Sequence, residues 1–153
     1  MNDKKIFQHL FATAKKSKDP RGIVSACLIT DSKIVVSFPS GDDGKIHAED
    51  RVISEVENKN LIDGSSILYC TVEPCSKRAT EGMADCVSRI IRSGIKHVVY
   101  GARDPMHSQI TKQRLKEAGI TIKQVSDKNL IKKSAKIFNE SAEEPNVIKK
   151  PLG

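Results

Sequence analysis

Residues 95–138 limit the fold of this chain more than any other segment. Residues 95–100 are a β-rich run, and Ser108 is a candidate N-cap for a helix that contains Ile110, Leu115 and Ala118 and closes at Gly119. Residues 120–125 then alternate as a strand, and Asp127 caps a last helix with Leu130, Ile131, Ser134, Ala135 and Phe138 on one face. A helix between two strands is a crossover, whereas antiparallel neighbours need only a short turn. The two strands are therefore parallel, and helices must cover the sheet on both faces.

The first half supplies the rest of the architecture. Ile6, Phe7, Leu10, Phe11 and Ala14 mark a helical face that Asp19-Pro20 stops. Runs 23–30 and 34–38 flank Asp31-Ser32-Lys33 and predict a β-hairpin. After the loop Ser40–Gly44, Ala48, Val52, Ile53 and Val56 mark a second helix opened by His47 or Lys45. Ile67 to Val72 is a third strand, Glu73 to Asp85 is irregular, and Val87, Ile90 and Ile91 belong to a helix ended by Gly94. The sequence thus predicts an α/β fold, a three-layer α/β/α sandwich on a five-stranded mixed sheet. Residues 1–142 are expected to form one domain and residues 143–153, with two prolines and no periodicity, a C-terminal tail.

Three segments carry chemistry: His47-Ala48-Glu49 at a helix start, Pro74-Cys75 after a strand, and Cys86 at the next helix start. Zinc takes imidazole and thiolate ligands tetrahedrally, and a catalytic site keeps one position open for water. One His and two Cys fill three positions. Helix N-termini carry roughly half a positive charge, which favours the thiolate form of a cysteine placed there. Side chains of a first helical turn lean back past the helix end, so Glu49 and His47 can converge there. A carboxylate in that place takes a proton from water and passes it to a ring nitrogen and a leaving amine. Cys27 and Cys70 lie in apolar runs and are expected to be buried thiols, while His9 and His97 are expected to be structural.

The order His-x-Glu, then Pro-Cys, then Cys is similar to the signature of zinc deaminases. Over residues of about 21 to 125, the chain resembles the cytidine deaminase superfamily. That resemblance implies Zn2+ held by His47, Cys75 and Cys86, with Glu49 as the catalytic proton carrier. The parallel fourth and fifth strands favour the branch that contains deoxycytidylate, guanine, tRNA adenosine and riboflavin-pathway deaminases. Ten residues, Ser76 to Asp85, separate the cysteines where that branch usually has two. The extended gap, Thr71–Arg78, Glu81-Gly82 and Cys86–Ile91 look most like the fungal-type riboflavin-pathway deaminase, which acts on a diaminopyrimidine bearing a ribityl chain. The bacterial bifunctional enzyme's glycine-containing motif after Asp-Pro is replaced here by Met106–Ile110.

The implied reaction is hydrolytic deamination of a diaminopyrimidine ribityl or ribosyl phosphate in riboflavin synthesis. Lys77 and Arg78 are candidate ligands of a substrate phosphate, Asp104 of a sugar or ribityl hydroxyl, and His107 of the active-site edge. The alternatives are deamination of a dCMP-like nucleotide, guanine or tRNA adenosine, and an inactive deaminase-fold binding module. The net charge of +7 allows a nucleic acid, but aromatics are only 4% with no Trp, which argues against a base-stacking surface. No apolar run reaches the ~18 residues of a membrane span. A cytoplasmic enzyme is expected, and the resemblance implies a homo-oligomer, a dimer or tetramer.

Overall fold

The computed structural model describes residues 1–76 and 84–143. The elements run α1 (Asp3–Ala14), β1 (Ser25–Thr30), β2 (Lys33–Pro39), α2 (Ala48–Asn58), β3 (Ile67–Val72), α3 (Cys86–Ser93), β4 (His97–Ala102), α4 (Ser108–Glu117), β5 (Thr121–Gln124) and α5 (Lys128–Ser141). This is the order the sequence predicts. The sheet order is β2-β1-β3-β4-β5. β1 is antiparallel to β2 and β3, while β3, β4 and β5 are mutually parallel.

Local chemistry explains the turns. Asp31 and Ser32 both adopt left-handed backbone, at φ 52° and 61°, between the paired residues Thr30 and Lys33. Two left-handed residues give a hairpin the twist of its strands, and Asp tolerates that conformation better than most side chains. Gly94 and Gly119 take positive φ where α3 and α4 end, so no Cβ is strained there.

Alternation along the strands builds two cores. Leu28, Leu68 and Val98 face α2, α3 and α4 and pack with Val52, Ile53, Ile90 and Leu115. Cys27, Tyr69 and Val99 point the other way, toward Phe7, Leu10 and Phe11 of α1 and Leu130 of α5. At Gly101, α5 meets the sheet so closely that a Cβ would lie 2.4 Å from Ser134 Oγ and 2.8 Å from the Thr71 carbonyl oxygen.

Two local expectations are corrected. The first helix ends at Ala14, before the Asp19-Pro20 pair, because the chain tightens into turns in which Lys16 and Ser17 donate to Thr13 and Ala14 carbonyls. Ser108 is the first residue of α4 and not its cap; His107 precedes it without a side-chain cap bond. Asp104 instead organises the turn that precedes the helix, its Oδ1 accepting the Met106 and His107 amides at 2.9 and 3.2 Å.

Candidate metal and active site

The carboxyl end of β3 is the centre of the site. β3 lies between an antiparallel neighbour, β1, and a parallel one, β4, whose carboxyl end lies beside its own. Such strand ends form crevices in α/β sheets. Glu73, Pro74 and Cys75 leave β3 directly, and Arg103 and Asp104 leave β4. The N-termini of α2 and α3 face the same place and bring His47 and Cys86.

His47 is the N-cap residue of α2, with extended backbone and no cap hydrogen bond from its side chain. Its imidazole turns instead to the two sulfurs, with Nδ1 3.2 Å from Cys86 Sγ and 3.5 Å from Cys75 Sγ. The Cys86 amide, at the start of α3, points at Cys75 Sγ at 3.4 Å, and the Val87 amide donates to the Cys75 carbonyl at 3.1 Å. These two bonds close the base of the ten-residue gap, so its length does not separate the thiols. Asp85 caps α3 through Ser88 N at 2.8 Å and is held by Arg114 Nη1 at 3.1 Å.

The donors fit a zinc ion. Their ligand atoms all lie within 4.8 Å of one another. Tetrahedral bonds of ~2.0–2.3 Å place ligand atoms about 3.6–3.8 Å apart, close to the present spacings. The Cys86 thiol donates toward Cys75 and, with His47, brings the Cys75 thiol down to about 5, whereas Cys86 is pushed up by that sharing and by burial. One sulfur is thus readily available as thiolate, the form a metal requires.

Glu49 sits in the first turn of α2, 3% exposed, and among the described residues its Oε1 has no hydrogen-bond partner. Burial pushes its carboxyl above the usual range, opposed in part by His47. A buried carboxyl with an unmet oxygen is costly in a structure that serves packing alone. Beside a cluster of metal ligands it is placed to accept and return a proton.

A cavity of about 510 Å³ opens over these groups. His47, Glu49 and Cys75 line it, and Asp104 and His107 stand on its wall, with Asp104 Oδ2 3.5 Å from His107 Nδ1. The structure therefore brings six of the eight predicted residues to one place, counting Cys86 through its sulfur. Lys77 and Arg78 lie outside the described residues. The sequence reading missed Asp19, Arg21, Glu73 and Phe138, which also line the cavity. Asp19 and Arg21 flank the proline taken as a helix stop, and Phe138 is part of an ordinary apolar helix face, so neither carried a signal. Glu73 stands directly before Pro74-Cys75, and that adjacency was the available clue. Cys27 and Cys70 are fully buried thiols as expected, and burial pushes Cys27 up to about 12. His9 and His97 are exposed and outside the cavity.

A mixed α/β sheet that gathers an imidazole, two thiols and a buried carboxyl at its strand ends defines a class of α/β protein with a group able to hold a metal ion beside a buried acid. The match of a family model for the cytidine and deoxycytidylate deaminase zinc-binding region to residues 1–102 places the chain in that family. The chain is 32% identical over 143 residues to riboflavin biosynthesis protein RibD of Aquifex aeolicus (strain VF5), covering 90% of this chain and 38% of that protein. It is 34% identical over 97 residues to diaminohydroxyphosphoribosylamino-pyrimidine deaminase of Schizosaccharomyces pombe, covering 60% of this chain and 24% of that one. It thus spans well under half the length of either relative. Among solved structures, the Rib2 deaminase of Aspergillus oryzae (a C-terminal deletion mutant, at pH 6.5) superposes with a TM-score of 0.77 at 24% identity over 97% of both chains, a likeness of fold.

Proposed function

We propose that this chain is a zinc-dependent deaminase that hydrolyses an exocyclic amine of a diaminopyrimidine carrying a ribityl or ribosyl phosphate, a step of riboflavin synthesis. The observation that carries this reading is the buried carboxyl of Glu49, its Oε1 unmet among the described residues, beside the His47, Cys75 and Cys86 cluster under one cavity. One of the two similar relatives is named a riboflavin biosynthesis protein and the other a diaminohydroxyphosphoribosylamino-pyrimidine deaminase, which supports the substrate class.

His47, Cys75 and Cys86 would hold the zinc, which supplies Lewis acidity and lowers the pKa of water at its open position. Glu49 takes the proton of the attacking water and delivers it to the ring nitrogen next to the reacting carbon. It then carries a proton to the departing amine, so one water is consumed and one ammonia is released for each amine replaced by oxygen. Burial raises the Glu49 carboxyl, which favours its holding a proton between the two transfers. Asp104 binds a hydroxyl of the sugar or ribityl chain, His107 stands at the cavity edge, and Lys77 and Arg78 take the phosphate. The protein works as a cytoplasmic homo-oligomer, dimer or tetramer.

The test is ammonia release by zinc-loaded protein against a panel: ribityl and ribosyl diaminopyrimidine phosphates, cytidine and deoxycytidine nucleotides, guanine, and tRNA. Turnover of the diaminopyrimidines is expected. Turnover confined to cytosine compounds or tRNA would overturn the substrate assignment.

A further inference from the structure

Glu73 carries a second buried carboxyl into the cavity. It leaves β3 two residues before Cys75, is 4% exposed, and lines the same cavity as Glu49. Its Oε1 accepts the Asp104 amide at 3.1 Å. That bond ties the end of β3 to the Asp104–His107 turn, whose own amides are gathered by Asp104 Oδ1. Among the described residues the other oxygen, Oε2, makes no well-formed hydrogen bond, and the Ser108 and Tyr100 hydroxyls stand beside the carboxyl without closing one on it.

A glutamine would hold the Asp104 amide equally well, so the turn alone does not account for an acid here. Buried carboxylate oxygens in folded proteins are almost always met by a donor. An oxygen left unmet inside a cavity that admits a ligand is met when the ligand arrives. Building on the deaminase reading above, we propose that Glu73 is a substrate-binding residue: Oε1 fixes the Asp104 turn, and Oε2 accepts an N–H or O–H donor of the pyrimidine ligand. On a ribityl diaminopyrimidine that donor is an exocyclic amine or a chain hydroxyl. The same carboxyl rejects a ligand with an acceptor at that position, since two acceptors would then face each other in a desolvated site.

The probe is the ribityl diaminopyrimidine phosphate, with zinc-loaded full chain. Glu73→Gln keeps an oxygen for the Asp104 amide and replaces the other acceptor with a donor. The expected result is a KM raised about tenfold or more, with kcat within about threefold and melting temperature and bound zinc unchanged. Ser108→Ala is expected to keep the parent KM. A parent-like KM in Glu73→Gln overturns the proposal, and so does an equal rise in Ser108→Ala, which would make Oε2 an internal partner of that hydroxyl. Equilibrium binding of the same compound separates this inference from the activity itself. Zinc-loaded Glu49→Gln protein should bind about tenfold more tightly than Glu49→Gln/Glu73→Gln. Equal binding, or binding by neither, overturns the inference even if the parent releases ammonia. Repeating the pair with the base lacking its ribityl chain assigns the donor: a retained difference means the amine, a vanished one the hydroxyl.

Discussion

Replacing Gly22 with alanine tests how the far wall of the cavity is built. Gly22 has φ +120°, and a Cβ on it would lie 2.4, 2.7 and 2.7 Å from three ring atoms of Phe138. The residue is fixed from both sides: the Gly22 amide donates to Asp19 O at 3.4 Å, the Ile23 amide to Ser141 Oγ at 2.7 Å, and the Glu143 amide to Pro20 O at 2.8 Å. The backbone therefore cannot relax to negative φ without breaking the bonds that hold the loop to the end of α5. Holding an L-residue there costs about 1–3 kcal/mol. Overpacking adds about 1 kcal/mol, at the low end because the half-buried Phe138 ring can tilt. Alanine also restricts the unfolded chain, which returns about 0.4–1 kcal/mol. The net expectation for Gly22→Ala is a loss of about 1–3.6 kcal/mol, read as a lower urea midpoint at constant slope. Combined with Phe138→Ala, the steric part should vanish and the backbone part remain, giving a coupling of about 1 kcal/mol in a double-mutant cycle. A Gly22→Ala protein within about 0.5 kcal/mol of the parent, or strictly additive variants, would refute the argument.

Glu49→Gln should bind zinc at parent stoichiometry and lose at least about 100-fold in kcat, since a proton carrier contributes 10²–10⁴-fold; turnover at parent rate would remove its assigned role. Gly101→Ala places a Cβ against the Thr71 carbonyl and Ser134 Oγ, and backbone cannot give way as a flexible side chain can. It should lower stability by about 1–3 kcal/mol by thermal or urea unfolding, and an unchanged midpoint would mean that α5 docks differently. Cys27 stays a neutral thiol in the fold, its pKa raised by burial to about 12, while an unfolded thiol ionises near ~8.5. The folded state is then the better proton binder, so stability is full below the unfolded value and falls as pH rises toward 12; Cys27→Ser or Cys27→Ala should flatten that fall, and an unaltered slope would sink the assignment. In the zinc-free native protein at pH 8, a thiol reagent should label Cys75 well before Cys27 or Cys70, and zinc should slow that labelling; fast labelling of all four would contradict the burial of the two core thiols.

The element order was legible because each segment states its own period. The alternation at 120–125, the helix spacing before Gly119 and the caps at Asp127 and Gly94 are local chemistry, and a helix between strands leaves only a parallel pairing. The metal-ligand cluster was legible for a related reason: His47, Glu49, Cys75 and Cys86 are reactive residue types at element ends, where a sheet gathers its chemistry. At the start of α4 the sequence reading chose the wrong one of two nearby polar residues. Asp104, and not Ser108, meets the free amides before α4, because the turn leaving β4 folds its carboxylate back over them.

By itself, then, the sequence determined the strands, the helices, their parallel half and the donor set for a metal, since these follow from periodicity and residue type. Only the tertiary structure decided that Glu73 and Phe138 share a cavity with Glu49, that Gly22 must be glycine, and that a ten-residue gap leaves two thiols within reach of one imidazole. Those outcomes depend on which surfaces meet when β3 is buried between β1 and β4, and no local spacing encodes that meeting.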